Sequence, residues 1–285
     1  MATAPRPAPG LLSDGPMAVT ADPVTRTRSL LPQEHGAWGQ LAMPLLSALL
    51  IAGATPAALL LLAATVLGFL AHEPWLVLLG HRGVRATTLD GPRARRTMRL
   101  LLLGAAATGG AGAWLAPWPA RWALLVPALL ATVVVSLVLA KQERTVAGEL
   151  TVVTALATSG LAVAMASGAP LRLAASATAT WVLAFASSVF AVQVVLARAQ
   201  TGEATELGRR HAAIVVAVAL GGSALAALAG LGWIVGAAVA PTALLSVLVC
   251  LLPFGPRQLR TLGWGLVAST TVTLLVLVLG LRTGL

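Results

Sequence analysis

Charge is what this chain has least of. Only 10% of its 285 residues are Asp, Glu, Lys or Arg, while 58% are hydrophobic. Soluble domains carry about 25% charged residues, so a soluble globular class is excluded. The formal net charge of +10 is gathered in no soluble basic domain, which argues against nucleic acid as a partner. An excess of Lys and Arg in cytoplasmic loops explains it instead. Cysteine is nearly absent: Cys250 stands alone in an apolar run, which excludes an intramolecular disulfide and reads as a small core residue. The first residues also lack a secretory h-region, since Leu11-Leu12 is too short a run. Residues 1–30, rich in Pro, Ala, Thr and Arg, predict a disordered cytoplasmic tail. Residues 31–285 then form one transmembrane helical domain.

What is abundant is apolar sequence. Crossing a bilayer core takes roughly 20 apolar residues as helix. Nine runs come close, near 38–54, 56–72, 99–116, 120–140, 150–168, 173–197, 211–230, 232–252 and 262–281. The expected fold class is therefore all-α, a polytopic bundle of about nine helices. Pro44 falls inside the first run, where neighbouring helices can re-satisfy the backbone it disturbs. Small residues such as Gly104, Ala105, Gly109 and Gly112 permit close helix approach.

Nine helices divide the connections into two sets. The tail and the loops near 73–98, 141–149, 198–210 and 253–261 hold all of the 19 basic residues except Arg121, Arg172 and Arg282. The positive-inside rule puts this set, with the N-terminus, in the cytoplasm and the C-terminus outside, in a bacterial inner (plasma) membrane. All nine acidic residues and all four histidines fall on the same side. The opposite turns are short and nearly uncharged. Channels and transporters more often place polar groups through the depth of the membrane. Here Gln193 is the main residue of that kind.

Four polar clusters occupy the charged side. Gln33-Glu34-His35-Gly36-Ala37-Trp38 sits at the mouth of the first helix. Glu34 and His35 can form an acid–base pair there, or cap the helix with Trp38 as an interfacial anchor. Ala71-His72-Glu73-Pro74-Trp75 opens the next loop, which continues through Gly80-His81-Arg82-Gly83 to Asp90-Gly91-Pro92-Arg93. Its arginines suit phosphate oxygens or anionic lipid. In the third cluster, Lys141, Arg144 and Glu149 surround a helix start. Lys141 and Arg144 can snorkel or contact a diphosphate, and Glu149 complements a helix dipole. In the fourth, Glu203 and Glu206 share a helical face ahead of Arg209-Arg210-His211. Two such carboxylates can hold Mg²⁺ with substrate phosphate oxygens, and a solvated charged turn explains them equally.

The stretch Pro32-Gln33-Glu34-His35-Gly36-Ala37-Trp38, followed by Pro44, resembles the opening of the bacterial YwiC-like family of membrane proteins. The wider layout is similar to the UbiA superfamily of intramembrane prenyltransferases. The shared features are nine helices with functional loops after the second, fourth and sixth, and Lys141, Arg144 and Thr145 where that superfamily has a Lys/Arg-Arg-x-Thr element. Leu207-Gly208 and Leu262-Gly263-Trp264 add to the likeness. The superfamily's Asp-rich motifs are missing: His72-Glu73-Pro74-Trp75 and Glu203/Glu206 stand in their places.

The resemblance implies an Mg²⁺-dependent transferase or binder acting on a prenyl diphosphate or isoprenoid lipid at a cytoplasm-facing cavity. Glu73, Glu203 and Glu206 would hold the metal. Arg82, Lys141, Arg144, Arg210 and His72 would contact the substrate, and Glu34 and His35 would serve as base or face the acceptor. The alternative is a non-catalytic lipid- or cofactor-binding membrane protein associated with a respiratory or assembly complex. The sequence names no protein partner.

Overall fold

The computed structural model describes residues 29–32, 35–201, 205–254 and 258–283. Eleven helical segments lie in it: α1 (His35–Ala52), α2 (Pro56–Leu70), α3 (His72–Leu78), α4 (Val84–Leu115), α5 (Trp118–Ala123) and α6 (Leu125–Leu139), then α7 (Val146–Ala166), α8 (Leu171–Thr201), α9 (Thr205–Leu228), α10 (Ile234–Leu251) and α11 (Leu259–Thr283). No strand occurs among the described residues. Eight segments are long and apolar enough to cross a membrane, with α2–α3 and α5–α6 each counting as one, and α1 is a shorter apolar helix. The expected all-α bundle of about nine apolar helices is the one observed, eight of them long enough to span, and the chain is a multi-pass membrane protein.

Two of the spans are broken for one reason. A proline inside a helix has no N–H to give, and its ring strikes the carbonyl four residues back. Pro74 strikes at Leu70, where α2 ends, and Pro127 strikes at Ala123, where α5 ends. The chain resumes at once as α3 and α6, so each break is a bend within a span. The break after Leu70 puts His72 and Glu73 at the start of a short helix that runs under the charged end.

Pro44 lies inside α1 without ending it. Ser47 Oγ donates to the Pro44 carbonyl at 2.8 Å and accepts the indole N–H of Trp181 at 2.9 Å. Ser47 and Trp181 are both fully buried. A helix on the other side of the core therefore steadies α1 at its proline, as expected for proline in a membrane helix.

The region 73–98, expected as a loop, is mostly helix. α3 occupies its start, and α4 begins at Val84, well before its apolar stretch. At 1.5 Å per residue the 32 residues of α4 reach about 48 Å, beyond a hydrocarbon core of about 30 Å. Hydropathy registers only the lipid-facing part. Ala, Arg, Leu and Met, good helix formers whatever their polarity, make up about half of the extension and carry it past Gly91 and Pro92. Arg85, Arg95, Arg96 and Arg99 are exposed on it, while Asp90, Gly91 and Ala94 are buried toward α3 and Leu30.

Contacts between connections respect the parity expected from the sequence. On the plain end, Thr55 Oγ1 donates to the Ala166 carbonyl at 3.0 Å and Ser167 Oγ to that of Gly53 at 2.6 Å. Arg121 donates to the carbonyls of Ala116 and Trp114, closing the C-terminus of α4 beside Trp118. On the charged end, Arg198 at the end of α8 reaches the last carbonyls of α10. No described side-chain bond joins the two ends.

Candidate functional site: a cavity with one polar end

α4 packs on α2 and α3, while α6 packs on α5 and α7; α4 and α6 make no substantial contact with one another. A cavity of about 2090 Å³ lies in this region. Ligand pockets are commonly about 300–1,000 Å³, so this one has room for a long-chain amphiphile. Its walls at depth are apolar, with Leu61 and Phe69 from α2, Leu102 from α4, Pro127 and Val135 from α6 and Leu156 from α7. Gln193 lines it from α8. The polar lining collects at the charged end.

Two reversals of the chain build that polar end. After α3, Gly80 takes φ +77°, and the His81 amide bonds back to the Leu76 carbonyl at 3.0 Å. After α6, Lys141 takes φ +57°, and the Gln142 amide bonds back to the Leu137 carbonyl at 2.8 Å. This is the same helix-ending motif twice, built on glycine in one case and lysine in the other. A left-handed conformation costs an L-residue about 1–2 kcal/mol, so Lys141 is held there against its own preference. Strain of this kind gathers at functional positions. The two turns face each other and bring His81 Nδ1 to 3.6 Å from Glu143 Oε1.

Within the first turn, Arg82 folds back on α3, and its NH2 donates to Glu73 Oε2 at 2.6 Å. Glu73 is 2% exposed and Arg82 19%. A carboxylate so deeply buried is stable only when compensated. The pair therefore ties the α3–α4 connection to the break that Pro74 creates.

Glu143 is positioned from below by α7. Thr145 caps that helix, its Oγ1 accepting the Gly148 N–H at 3.1 Å and donating to the Gln142 carbonyl at 2.8 Å. Gly148 lies against this turn: a Cβ there would stand 2.9 Å from the Glu143 carbonyl carbon and closer still to the Gln142 oxygen. Gly148→Ala is expected to push the turn away and to cost about 1–3 kcal/mol of stability, read from the denaturation midpoint in detergent. An unchanged midpoint would show that the turn moves freely.

Of the residues singled out from the sequence, His72, Glu73, Arg82, Lys141 and Arg144 all line the cavity at its polar end. Glu206 and Arg210 do not. They form an exposed i,i+4 pair at 3.1 Å on α9. Glu34 and Glu203 lie outside the described residues, as does the tail through residue 28, and of His35 only the backbone is described. Beside them, Gly36 and Gln40 line the cavity, and Trp38 Nε1 donates to the Pro32 carbonyl while packing edge-on to Phe69. Of the four histidines, His211 also lines the cavity and meets the Phe190 carbonyl through Nδ1 at 3.1 Å.

The expected metal set does not assemble among the described residues. Its one described member at the cavity, Glu73, is held by Arg82, and no three His, Cys, Asp or Glu side chains converge on one point. Sequence reasoning gave no role to the pair His81 and Glu143. The available signal was parity, which puts Gly80-His81-Arg82-Gly83 and Lys141-Gln142-Glu143 at one end of the bundle. That they touch is a tertiary fact.

The model of the family described as YwiC-like protein matches residues 31–164, from just before α1 to the last turn of α7. The matched stretch contains both reversals and the Glu73–Arg82 and His81–Glu143 pairs. No curated protein and no solved structure matches the chain. This integral membrane protein is thus similar to the YwiC-like family over residues 31–164, the stretch that carries the polar end of the cavity.

Proposed function

We propose that the protein binds an isoprenoid lipid phosphate or diphosphate, with its chain in the cavity and its headgroup at the polar end, facing the cytoplasm. The observation that carries this reading is the division of the cavity lining. Apolar side chains from α2, α4, α6 and α7 line the depth, and Arg82, Lys141 and Arg144 line one end together with Glu73, Glu143 and Glu149. An amphiphile with an anionic head matches that division, because guanidinium and ammonium groups suit phosphate oxygens. The excess of basic residues at the same end supports a cytoplasmic orientation.

Transfer of the prenyl group with Mg²⁺ is the more demanding form of this reading. It asks for converging carboxylates, two of which, Glu34 and Glu203, lie outside the described residues. The proposal is therefore made for binding.

The test is binding of geranylgeranyl diphosphate to detergent-purified protein, with and without Mg²⁺. Wild type is expected to bind, and Lys141→Ala with Arg144→Ala to weaken binding by about tenfold or more, a loss of about 1.4 kcal/mol. Glu206→Gln and Arg210→Gln are expected to leave it unchanged. The opposite pattern would move the headgroup to the α8–α9 connection. No binding by folded protein would end the reading, and Mg²⁺-dependent binding would bring back the metal.

A further inference from the structure

At the polar end of the cavity, two buried atoms have no hydrogen-bond partner among the described residues: Arg82 Nε, a donor, and Glu143 Oε2, an acceptor. Arg82 is held through its NH2 on Glu73 at 2.6 Å. Glu143 Oε1 lies 3.6 Å from His81 Nδ1, close by but beyond hydrogen-bond distance. Arg82 follows His81 in the chain, Glu143 stands on the facing turn, and both residues line the cavity. Buried polar groups left unmet are costly, and each such atom in a folded protein calls for an explanation.

A bare phosphate answers only half of this arrangement. Its oxygens accept from Arg82, but as the dianion it has no proton to offer Glu143 and is repelled by that carboxylate. An ammonium headgroup would satisfy Glu143 but has no acceptor to offer Arg82, and the same end is lined by Lys141 and Arg144 as well as by Glu73 and Glu149. A neutral hydroxyl beside the phosphate satisfies both atoms.

We infer that the polar end of the cavity recognises a hydroxyl-bearing phosphate headgroup, such as a sugar on an isoprenoid phosphate, with Arg82 taking a phosphate oxygen and Glu143 accepting a hydroxyl. His81 is a positioning residue that aims the carboxylate. This inference rests on the isoprenoid-phosphate reading above and specifies its headgroup.

Two probes with the same chain decide it, geranylgeranyl phosphate and geranylgeranyl phosphoglucose, titrated against the full chain in detergent. Wild type is expected to bind the glucose-bearing probe about tenfold tighter, the effect of one hydrogen bond to a charged group. Glu143→Gln and His81→Gln should each reduce that preference to about threefold or less, while the bare phosphate binds as well as before or better. Arg82→Lys should weaken both probes alike. Glucose 1-phosphate, lacking the chain, should compete at least about a hundredfold more weakly, because the chain contributes about 0.8 kcal/mol per buried CH₂. Equal binding of the two probes by wild type overturns the inference, as does a preference that survives Glu143→Gln. Equal competition by glucose 1-phosphate would assign a soluble sugar phosphate and overturn the lipid part. If neither lipid probe binds, the isoprenoid-phosphate reading itself falls.

Discussion

Replacing Arg82 with methionine is expected to lower the stability of the folded protein by about 3–5 kcal/mol, the usual cost of removing one partner from a buried ion pair. Glu73 is 2% exposed and receives the guanidinium at 2.6 Å. Without that charge, a carboxylate in the wall of a membrane protein loses a partner that water cannot easily replace. The pair also spans the α3–α4 connection, so its loss should loosen the turn that carries His81. The check is the denaturant midpoint of detergent-solubilised protein, compared with Arg85→Met on the exposed face of α4. A second substitution, Glu73→Leu, should recover most of the loss, because a well-packed apolar pair of similar volume often replaces a buried ion pair without penalty. If Arg82→Met behaves like Arg85→Met, the pair is not holding the connection.

Arg198→Met is expected to cost about 2–4 kcal/mol by a different route. The last carbonyls of a helix have no partners within it, and α10 ends inside the charged end of the bundle. Arg198, from the last turn of α8, donates to Val249 at 3.0 Å, to Cys250 at 2.6 Å and to Leu252 at 2.6 Å. A cation at a helix C-terminus also meets the negative end of its dipole. Hydrogen bonds to a charged group contribute about 1.5–3 kcal/mol each and share one desolvation, so their sum overstates the loss. Arg198→Lys should recover only part of it, because an ammonium cannot present the guanidinium fork to three oxygens. Full recovery with lysine would mean that charge alone matters. No loss with methionine would mean that the α10 terminus finds other partners.

Both predictions concern residues whose side of the bundle was readable and whose partners were not. The order of apolar runs and loop charges placed Arg82, Arg198, Glu73 and Lys141 at one end. Apolar runs reveal passes because a bilayer requires them, and proline reveals breaks because its chemistry is local. The extension of α4 was hidden because helix propensity without hydrophobicity leaves no mark in hydropathy. Glu206 pairs with Arg210 on the surface of α9, while Glu203, three residues before it, lies outside the described residues.

The family match confines itself to residues 31–164, and the polar pairs fall within it. Beyond it, α8, α9 and α11 also line the cavity, with Gln193 and His211 among their polar residues. A variant in either half can therefore reach the same cavity.

By itself the sequence determined a membrane protein of nine apolar passes, the end at which its ionisable groups gather, and the prolines that break or bend the spans. Each of these follows from local composition against the demands of a bilayer. Only the tertiary structure decided which charges are partners: that Arg82 turns back to Glu73, that His81 meets Glu143 across two left-handed turns, and that Glu206 stays outside. Such choices depend on the rotation of each helix about its axis and on which helices touch. In a bundle with small residues and apolar side chains on nearly every face, many rotations suit the lipid equally well. Close packing selects among them.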